Sequence, residues 1–590
     1  MRIVVCIKQV PDMYSARSIT AEGLLDRSGD VVLNEIDENA LATSVNLLES
    51  LDKLAAGTGD EPHEIIALTA GPPRAVTALR RALQLGANRA VHVLDTKFTG
   101  LDAPGTAAVL ARAIDRIHQE TPVDLVVTAM ASMDGLTTLV PVLLAAELDW
   151  PTLTRAVGVI TDGTQISITR DGQESQPLSA KLPAVVTVTD RAPRPMLPNM
   201  KAIAAARTTE VELWTAADLG YGDVSTELAP RIGVVQAARR VKSGPREVFH
   251  DDGTGGRVLA EHLAAVLHGS AQQDEGSVVL SAADDAPRVA VVISQEDASR
   301  LSAEGQALVR AGVELANQRS TGLRVLVVLP EDVAAGFAGD KSSGELGGQL
   351  AGLGVRQWEA VPADEELISG LARRLAHDPE PQVVLFSSTF DQTELAARVA
   401  HQLDAAVVTA VQELDWSEPA LIMEKQVLAG SWQTRVRQLA PRAVLTVRTV
   451  SRPEADAQDT SSEHLSIAHT VIAGGRGTGG DFGPVRELAE VLGGAVGATR
   501  DAVDEGWIHH DAMIGQTGAT VLPLVYVGAG ISGAVHHLGG MQGAQHIVVV
   551  NNDPEAPIMQ FADFAVIGDL AEILPAAAAH LRELLPPPPQ

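Results

Sequence analysis

Short aliphatic runs alternate along the whole chain with Ala/Leu/Arg/Glu segments of helical period, and the runs are too brief and too continuous for half-solvated antiparallel strands. The pattern predicts α/β units built on parallel sheets. Buried strands are expected over 3–10, 64–70, 90–94, 124–128 and 184–189 in the first half, and over 288–293, 323–329, 382–387 and 443–449 in the second. The halves also resemble each other. DLVVTAMASMDG from Asp124, followed by LVPVLLAAELDWPTLT, parallels QVVLFSSTFDQ from Gln382, followed by LAARVAHQLDAAVVT. LPAVVTVTDR from Leu182 parallels APRAVLTVRT from Ala440. Strand, small-polar loop with one aspartate, helix and distal strand recur in one order, which implies two copies of one domain.

Between the copies HGSAQQDEGSVVLSAADDAP, residues 268–287, is small and polar enough to read as an exposed linker. After SRPEADAQDTSSE, from Ser451, the glycine content rises sharply. The expected domains are therefore 1–267, 288–465 and 466–590, with 268–287 joining the first two.

Composition narrows the function. The 590 residues are 45% hydrophobic, enough for several aliphatic cores, and carry a net charge of −30. With a sequence pI near 4.9, the chain is a poor partner for nucleic acid or an anionic membrane, which need Lys and Arg against phosphates. The single cysteine, Cys6, excludes an internal disulfide and a cysteine-ligated metal or cluster within one chain, and its apolar strand context predicts a buried thiol. No segment reaches the roughly 20 apolar residues of a membrane helix, and MRIVVCIKQVPD is too short a run for a secretory signal. A cytoplasmic protein that is not membrane-embedded is expected, with no metal site.

The final domain holds four glycine-rich or polar motifs. HTVIAGGRGTGGDFG, from His469, runs a strand into glycines, and Gly475, Gly477 and Gly480 satisfy GxGxxG, where backbone N–H groups can approach a diphosphate at a helix N-terminus. Arg476 inside that turn can grip a phosphate bidentately. GATRDAVDEGW from Gly497 and IGQTG from Ile514 place hydroxyl, amide and cationic groups beside glycines, although each taken alone reads better as a surface turn. LVYVGAGISGAVHHLGGMQG, from Leu524, gives a second GxGxxG match at Gly528, Gly530 and Gly533. One extended ligand touched at several strand ends accounts for two such matches better than two separate dinucleotide sites.

In this order and spacing GGRG, GATRDAVDEGW, GQTG, GISGAVHHLGGM, NNDPEAPI and ADFAVIGDL resemble the FAD-binding domain of electron-transfer flavoprotein alpha subunits, over about 465–590. KQVPD at Lys8, NEIDENAL at Asn34, GPPRAVTALRRALQLGANRAVHV at Gly71 and RPMLPNMKA at Arg194 resemble the beta subunit of the same protein, and 288–450 resembles the alpha subunit's first domain. The resemblance implies a beta-like half fused to an alpha-like half. It also implies two related adenine-nucleotide-alpha-hydrolase-like parallel-sheet domains plus a C-terminal Rossmann-like FAD-binding domain.

It further implies residue roles. Arg476 would hold the FAD diphosphate, Arg500, following the hydroxyl residue Thr499 of the same cofactor-binding set, would lie over the ring near its reactive edge, and Gln516 and Thr517 would bond around N5. His537 would face the pyrimidine carbonyl and N1, and Ser532 would contact the ligand's middle, with Gly530 and Ile531 beside it in the cofactor-binding set. Asn551 and Asp569 would bind the adenosine end. A cation and a hydrogen-bond donor near N1 are the groups that favour one-electron reduction of a flavin. This chain departs from the family at Thr499, where serine is common, and at GRGTGGDFG, which lacks the usual lysine and serine. His509 and His510 replace a proline and an asparagine.

In the beta-like half the resemblance implies a second nucleotide, AMP, at Cys6, Asn34, Ala70, Asp134, Thr137 and Thr138, with FAD or a vacant pocket as alternatives. Leu197, beside Met196 on a Pro-bounded loop, would dock flavin dehydrogenases of the acyl-CoA dehydrogenase type. The expected function is to shuttle single electrons from such dehydrogenases, as in fatty acid beta-oxidation, to an ETF-quinone oxidoreductase-like or other acceptor. No catalytic residue and no separate partner subunit would be needed. The alternative is a bifurcating form with a second FAD oxidising NADH. Two rivals stand apart from the family: an NAD-dependent oxidoreductase, from the Gly528 fingerprint with Asp553 at ribose distance, and a nucleotide sensor without redox chemistry.

Overall fold

In this computed structural model the chain is described for all residues except 13–14, 16, 55–62, 172, 241–246, 275–278, 281–286, 297–298, 336–344, 365, 377–380, 417–418, 429, 449–464, 466–467, 516–517 and 586–590. It is a mixed α/β chain with several parallel sheets. Two compact units are formed, 1–233 with 394–407, and 234–393 with 408–590.

In the first unit the Ile/Val-rich strands Arg2–Cys6, Glu64–Ala70 and Leu125–Ala129 are buried on both faces, as parallel strands between helical layers must be. The sheet order is Glu212–Trp214, Arg89–Val93, Glu64–Ala70, Arg2–Cys6, Leu125–Ala129, Ala184–Val188, Thr152–Thr161, Gln165–Arg170, Gln173–Lys181. Helix Ala103–Glu120 covers part of it and starts where Asp102 accepts a hydrogen bond from Gly105 N at 3.0 Å, with Pro104 in its first turn.

The second unit repeats this order. Its first sheet runs Gln357–Pro362, Gly322–Leu329, Pro287–Ser294, Val383–Ser387, Ala443–Val447, Ala406–Val411, so that chain position and sheet position correspond to the first unit's central six strands. The repeat extends to unusual backbone. Arg155, at φ 60, donates its N–H to Thr187 Oγ1 at 2.9 Å, and Ala410, at φ 56, donates to Thr446 Oγ1 at 2.9 Å. Independent chains rarely reproduce a strained residue and its side-chain partner together, so the internal resemblance in sequence is a structural duplication.

The remaining large sheet is parallel, in the order Glu247–His250, Phe564–Ile567, His546–Asn551, Val525–Ala529, Thr470–Gly474, Ala495–Ala498. Its first strand comes from sequence before the expected linker, and helix Gly255–Asp274, which packs on Leu570–Leu584, starts before that linker and runs into it. Within that linker Val279 and Leu280 are docked through Asn317 Nδ2 to Val279 O at 3.1 Å and Leu280 N to Leu353 O at 3.1 Å.

Two expectations need correction. The run 3–10 is two strands, Arg2–Cys6 and Gln9–Pro11, the second paired antiparallel with Val31–Leu33. Antiparallel strands also exist: Gln165–Arg170 and Gln173–Lys181 extend the first sheet, and Glu413–Asp415, Ile422–Val427 and Trp432–Gln438 form a sheet with Ile232–Arg239. Segments such as QISITR alternate buried and exposed positions, so they lack the continuous apolar signal of the central strands.

Candidate functional site

Parallel strands deliver their C-terminal ends to one edge, and ligands bind there where neighbouring connections diverge. In the last sheet Thr470–Gly474 has Ala495–Ala498 on one side and Val525–Ala529 on the other, which makes that point of divergence. Gly475, Arg476, Thr499, Arg500, Gly530, Ile531, Ser532, Asn551 and Asp569 follow the ends of these and the next two strands. One edge thus collects the residues the motifs named. Gln516 and Thr517 lie outside the described residues.

The glycines serve a different purpose from the one expected. Gly475 N donates to Ala529 O at 3.0 Å and Gly477 N to Gly530 O at 2.9 Å, so these N–H groups are taken up by the neighbouring loop. A Cβ on Gly477 would stand 2.6 Å from Gly530 Cα, and Gly530 itself has φ 61. Glycine is required here because two loops touch backbone to backbone.

The charged groups stand above this floor. Arg476 is 68% exposed and pairs with Asp501 at 3.0 Å, and Arg500 lies 3.5 Å from Asp504. Between them Thr499 is buried, its N–H donates to Gly474 O at 3.0 Å, and its Oγ1 has no hydrogen-bond partner among the described residues. A buried hydroxyl without a partner is uncommon because desolvation costs it about 1–3 kcal/mol. It is the atom best suited to meet a polar ligand.

Asn551 and Asp569 have local work. Asn551 Nδ2 donates to Ile531 O at 2.8 Å and its Oδ1 accepts from Asp553 N at 3.1 Å, which fixes the 530–533 loop. Asp569 caps helix Leu570–Leu584 through Ala571 N at 2.9 Å. His509 Nδ1 lies 3.1 Å from Asp511 Oδ2 and caps the turn His510–Ala512.

His537, expected to face the cofactor's pyrimidine ring, instead turns inward. It is 3% exposed, with Nε2 2.7 Å from Tyr526 Oη and Nδ1 3.0 Å from Ile514 O. Burial pushes the imidazole down to about 4. Sequence reasoning passed over Tyr526, although it is one of only 3 tyrosines in a chain with 3% aromatics, which was the available signal. It also passed over Asp501.

The beta-like edge is built otherwise. Asp134 is 7% exposed and meets Lys8 Nζ and Arg27 Nη2, each at 2.8 Å. Burial would raise its carboxyl, but Lys8 and Arg27 outweigh it and hold it down to about 2. Asn34 donates to Asp37 Oδ1 at 3.0 Å and accepts from Met133 N at 3.0 Å. Burial pushes Asp37 up to about 7, and burial together with Asp37 pushes Cys6 up to about 12. Cys6 is accordingly a free, buried thiol, as its context predicted. Thr138, at φ 56, and Thr137 bond to each other through Thr138 Oγ1 and Thr137 O at 2.7 Å, and Ala70 ends its strand at the same edge. Lys8, Arg27 and Asp37 were not among the expected site residues. Leu197 and Met196 are 92% and 85% exposed.

Among the described residues no helix is long and apolar enough to cross a membrane. Comparison with known proteins bears on the three largest sheets. The model of the electron transfer flavoprotein domain matches residues 23–219 and 289–468, and that of the electron transfer flavoprotein FAD-binding domain matches 464–542. The electron transfer flavoprotein subunit alpha of Thermoanaerobacterium thermosaccharolyticum is 35% identical over 243 residues, covering 36% of this chain and 74% of its own. That of Paracoccus denitrificans is 35% identical over 242 residues, with 36% and 76% covered. The subunit beta of Mycobacterium bovis is 37% identical over 268 residues, with 45% and 97% covered. The chain therefore belongs to the electron transfer flavoprotein family, with a beta-subunit-like half and an alpha-subunit-like half in one polypeptide.

Proposed function

We propose that this chain is an electron carrier that holds one FAD at the strand-end edge of its C-terminal domain, takes single electrons from flavin dehydrogenases and passes them to a quinone oxidoreductase or another acceptor. The observation that carries the reading is the buried Thr499 Oγ1, without a hydrogen-bond partner among the described residues, directly before Arg500 and with its N–H bonded to Gly474 O, two residues before Arg476. A polar group completes it there, and two cations suit an anionic one. When bound, the flavin supplies the one-electron chemistry. Arg476, the more exposed cation, would hold the diphosphate, Arg500 would set positive potential beside the ring, and Thr499 would donate or accept at the ring's polar edge. The packed glycine loops would exclude water from below.

The exposed Leu197 supports a role in docking the donor, because a bare leucine on a Pro-bounded loop loses water only when a partner covers it. The interlocked polar groups of the beta-like edge favour a single flavin, with AMP the nucleotide that would fit there. The test is the absorbance spectrum of the purified chain, followed by release and quantification of its nucleotides. One FAD per chain is expected. A colourless protein would end the reading, and two FADs would replace it with the bifurcating one.

A further inference from the structure

We propose that the second copy of the duplicated domain binds a phosphate group of its own, between Lys425 on strand Ile422–Val427 and Arg448, the residue after strand Ala443–Val447.

The two copies fix which positions correspond. Thr189 N donates to Ala156 O at 3.1 Å in the first copy, and Arg448 N to Val411 O at 2.8 Å in the second, next to the matched residues Arg155 and Ala410. Farther along, Gly158 pairs with Thr169 and Glu413 with Glu424. Arg448 therefore stands where the first copy has Thr189, Lys425 where it has Arg170, and Gln426 where it has Asp171. In the first copy that aspartate is engaged with cations: its carboxylate pairs with Arg191 and its carbonyl oxygen accepts from Arg155 Nη2 at 3.5 Å. The second copy keeps a cation at one of these positions, gains another at Arg448, and has a neutral amide in place of the carboxylate.

The surroundings leave both cations uncompensated. Among the described residues Lys425 Nζ reaches only Thr409 Oγ1, at 3.5 Å, and Thr409 is itself buried. Arg448 Nη1 is buried with no hydrogen-bond partner among the described residues. Glu424, next to Lys425 in the strand, belongs to the opposite face and pairs with Arg435 at 2.8 Å. Burial, and then the charge of Arg448, lowers Lys425 to about 8, and burial lowers Arg448 to about 10. Both side chains remain partly exposed, so a solute can reach them. Two neighbouring cations drawn out of water without an acid are unfavourable until an anion joins them. In a chain with a net charge of −30 such a pair is a local exception that general surface charge does not explain. A planar guanidinium beside a compact ammonium, with a threonine hydroxyl within reach, matches the oxygens of a phosphate.

Nothing at this site depends on the flavin reading, since Lys425 and Arg448 lie outside the sheet that carries Arg476 and Thr499. Equilibrium dialysis of labelled inorganic phosphate against the full chain as purified, in chloride buffer, would compare the parent with Lys425→Met, Lys425→Arg and Arg448→Met. About one phosphate per chain is expected, with affinity falling tenfold or more in either methionine variant and staying near the parent's in Lys425→Arg. Thermal unfolding supplies a second reading. In chloride Lys425→Met should be at least as stable as the parent, because an unpaired cation is gone, while added phosphate should stabilise the parent and not the variant. Unlabelled AMP then separates two sources of the same chemistry: displacement of the label assigns the site to a nucleotide's phosphate, and retention assigns it to free phosphate. A parent that binds no phosphate overturns the proposal. Equal binding in the parent and both methionine variants, an adventitious ion only, overturns it too, as does a loss in Lys425→Arg as large as in Lys425→Met. A chain without flavin would defeat the functional reading and leave this comparison intact.

Discussion

Two edges in this molecule lie at the C-terminal ends of parallel strands and differ in how their polar groups are disposed. On the beta-like edge Lys8, Arg27, Asn34, Asp37 and Asp134 satisfy one another. On the C-terminal edge Arg476 is mostly exposed and Thr499 Oγ1 has no hydrogen-bond partner among the described residues. A buried polar group costs stability unless it is paired, so the first edge is stable as it stands and the second gains by receiving a ligand. The duplicated second copy offers a further contrast, since its corresponding edge carries neutral bonds such as Gln392 Nε2 to Ser294 Oγ at 2.8 Å. Duplication preserved the sheet order.

The comparison is broken most directly at Asp134. Asp134→Ala leaves Lys8 and Arg27 facing each other without their shared carboxylate, and breaking a buried pair costs about 3–5 kcal/mol. Lys8 keeps 45% side-chain exposure and Arg27 25%, so about 2–3 kcal/mol is expected in urea unfolding of the first unit. Flavin content should not change, because the motifs at the other edge are untouched.

The next effect is read from pH. Asp37, raised to about 7, holds a proton in the folded chain that the unfolded chain releases near 4. Its contribution is therefore complete below about 4 and is lost as pH rises through 7. Asp134, held down to about 2, contributes above about 4 and loses that contribution as pH falls towards 2. Between pH 5 and 8 Asp37 alone should make stability fall, by about 2 kcal/mol after allowance for its coupling to Lys8 and Asp134. Asp37→Asn should flatten that slope, and an unchanged slope would remove Asp37 from the account.

Much of this was legible beforehand, for physical reasons. Strands buried on both faces need unbroken aliphatic runs, and so 64–70 was read to the residue as Glu64–Ala70. The residues at the flavin-type edge follow strand ends, which sequence marks with glycine. Side-chain direction was not legible. His537 is one of two adjacent histidines, and only the position of Tyr526 eleven residues earlier determines which way its ring turns. The ionic cluster was half visible: Asp134 and Asn34 were named, while Lys8 and Arg27, 126 and 107 residues away from Asp134, meet it only through the fold.

Arg500→Ala tests the C-terminal edge through its charge. A preorganised donor in a dry site is worth about 3 kcal/mol, but Arg500 is 29% exposed and lies near Asp504, so half of that is expected. About 1.4 kcal/mol corresponds to a first reduction potential lowered by roughly 59 mV for a one-electron couple. Potentiometric titration of the flavin-loaded variant measures it, and a potential equal to the parent's would detach Arg500 from the ring.

The smallest effect is also the sharpest, because it should change sign with the ligand. Thr499→Val replaces a hydroxyl by a methyl of nearly the same shape, so the buried volume is kept and only the polar atom is removed. In the chain stripped of nucleotide that atom is buried without a partner, and its loss should stabilise the last domain by about 0.5–1 kcal/mol. In the flavin-loaded chain the same substitution removes a made hydrogen bond and should weaken retention by about 1 kcal/mol, roughly fivefold in dissociation constant. The corresponding substitution on the beta-like edge has no such reversal: Asn34→Leu breaks bonds already made to Asp37 and Met133 and should destabilise whatever is bound. Thermal unfolding of both variants, loaded and stripped, gives the four numbers. If Thr499→Val destabilises the stripped chain, its hydroxyl has a partner within the protein, and the distinction drawn between an edge awaiting a ligand and an edge already closed fails at the atom on which it rests.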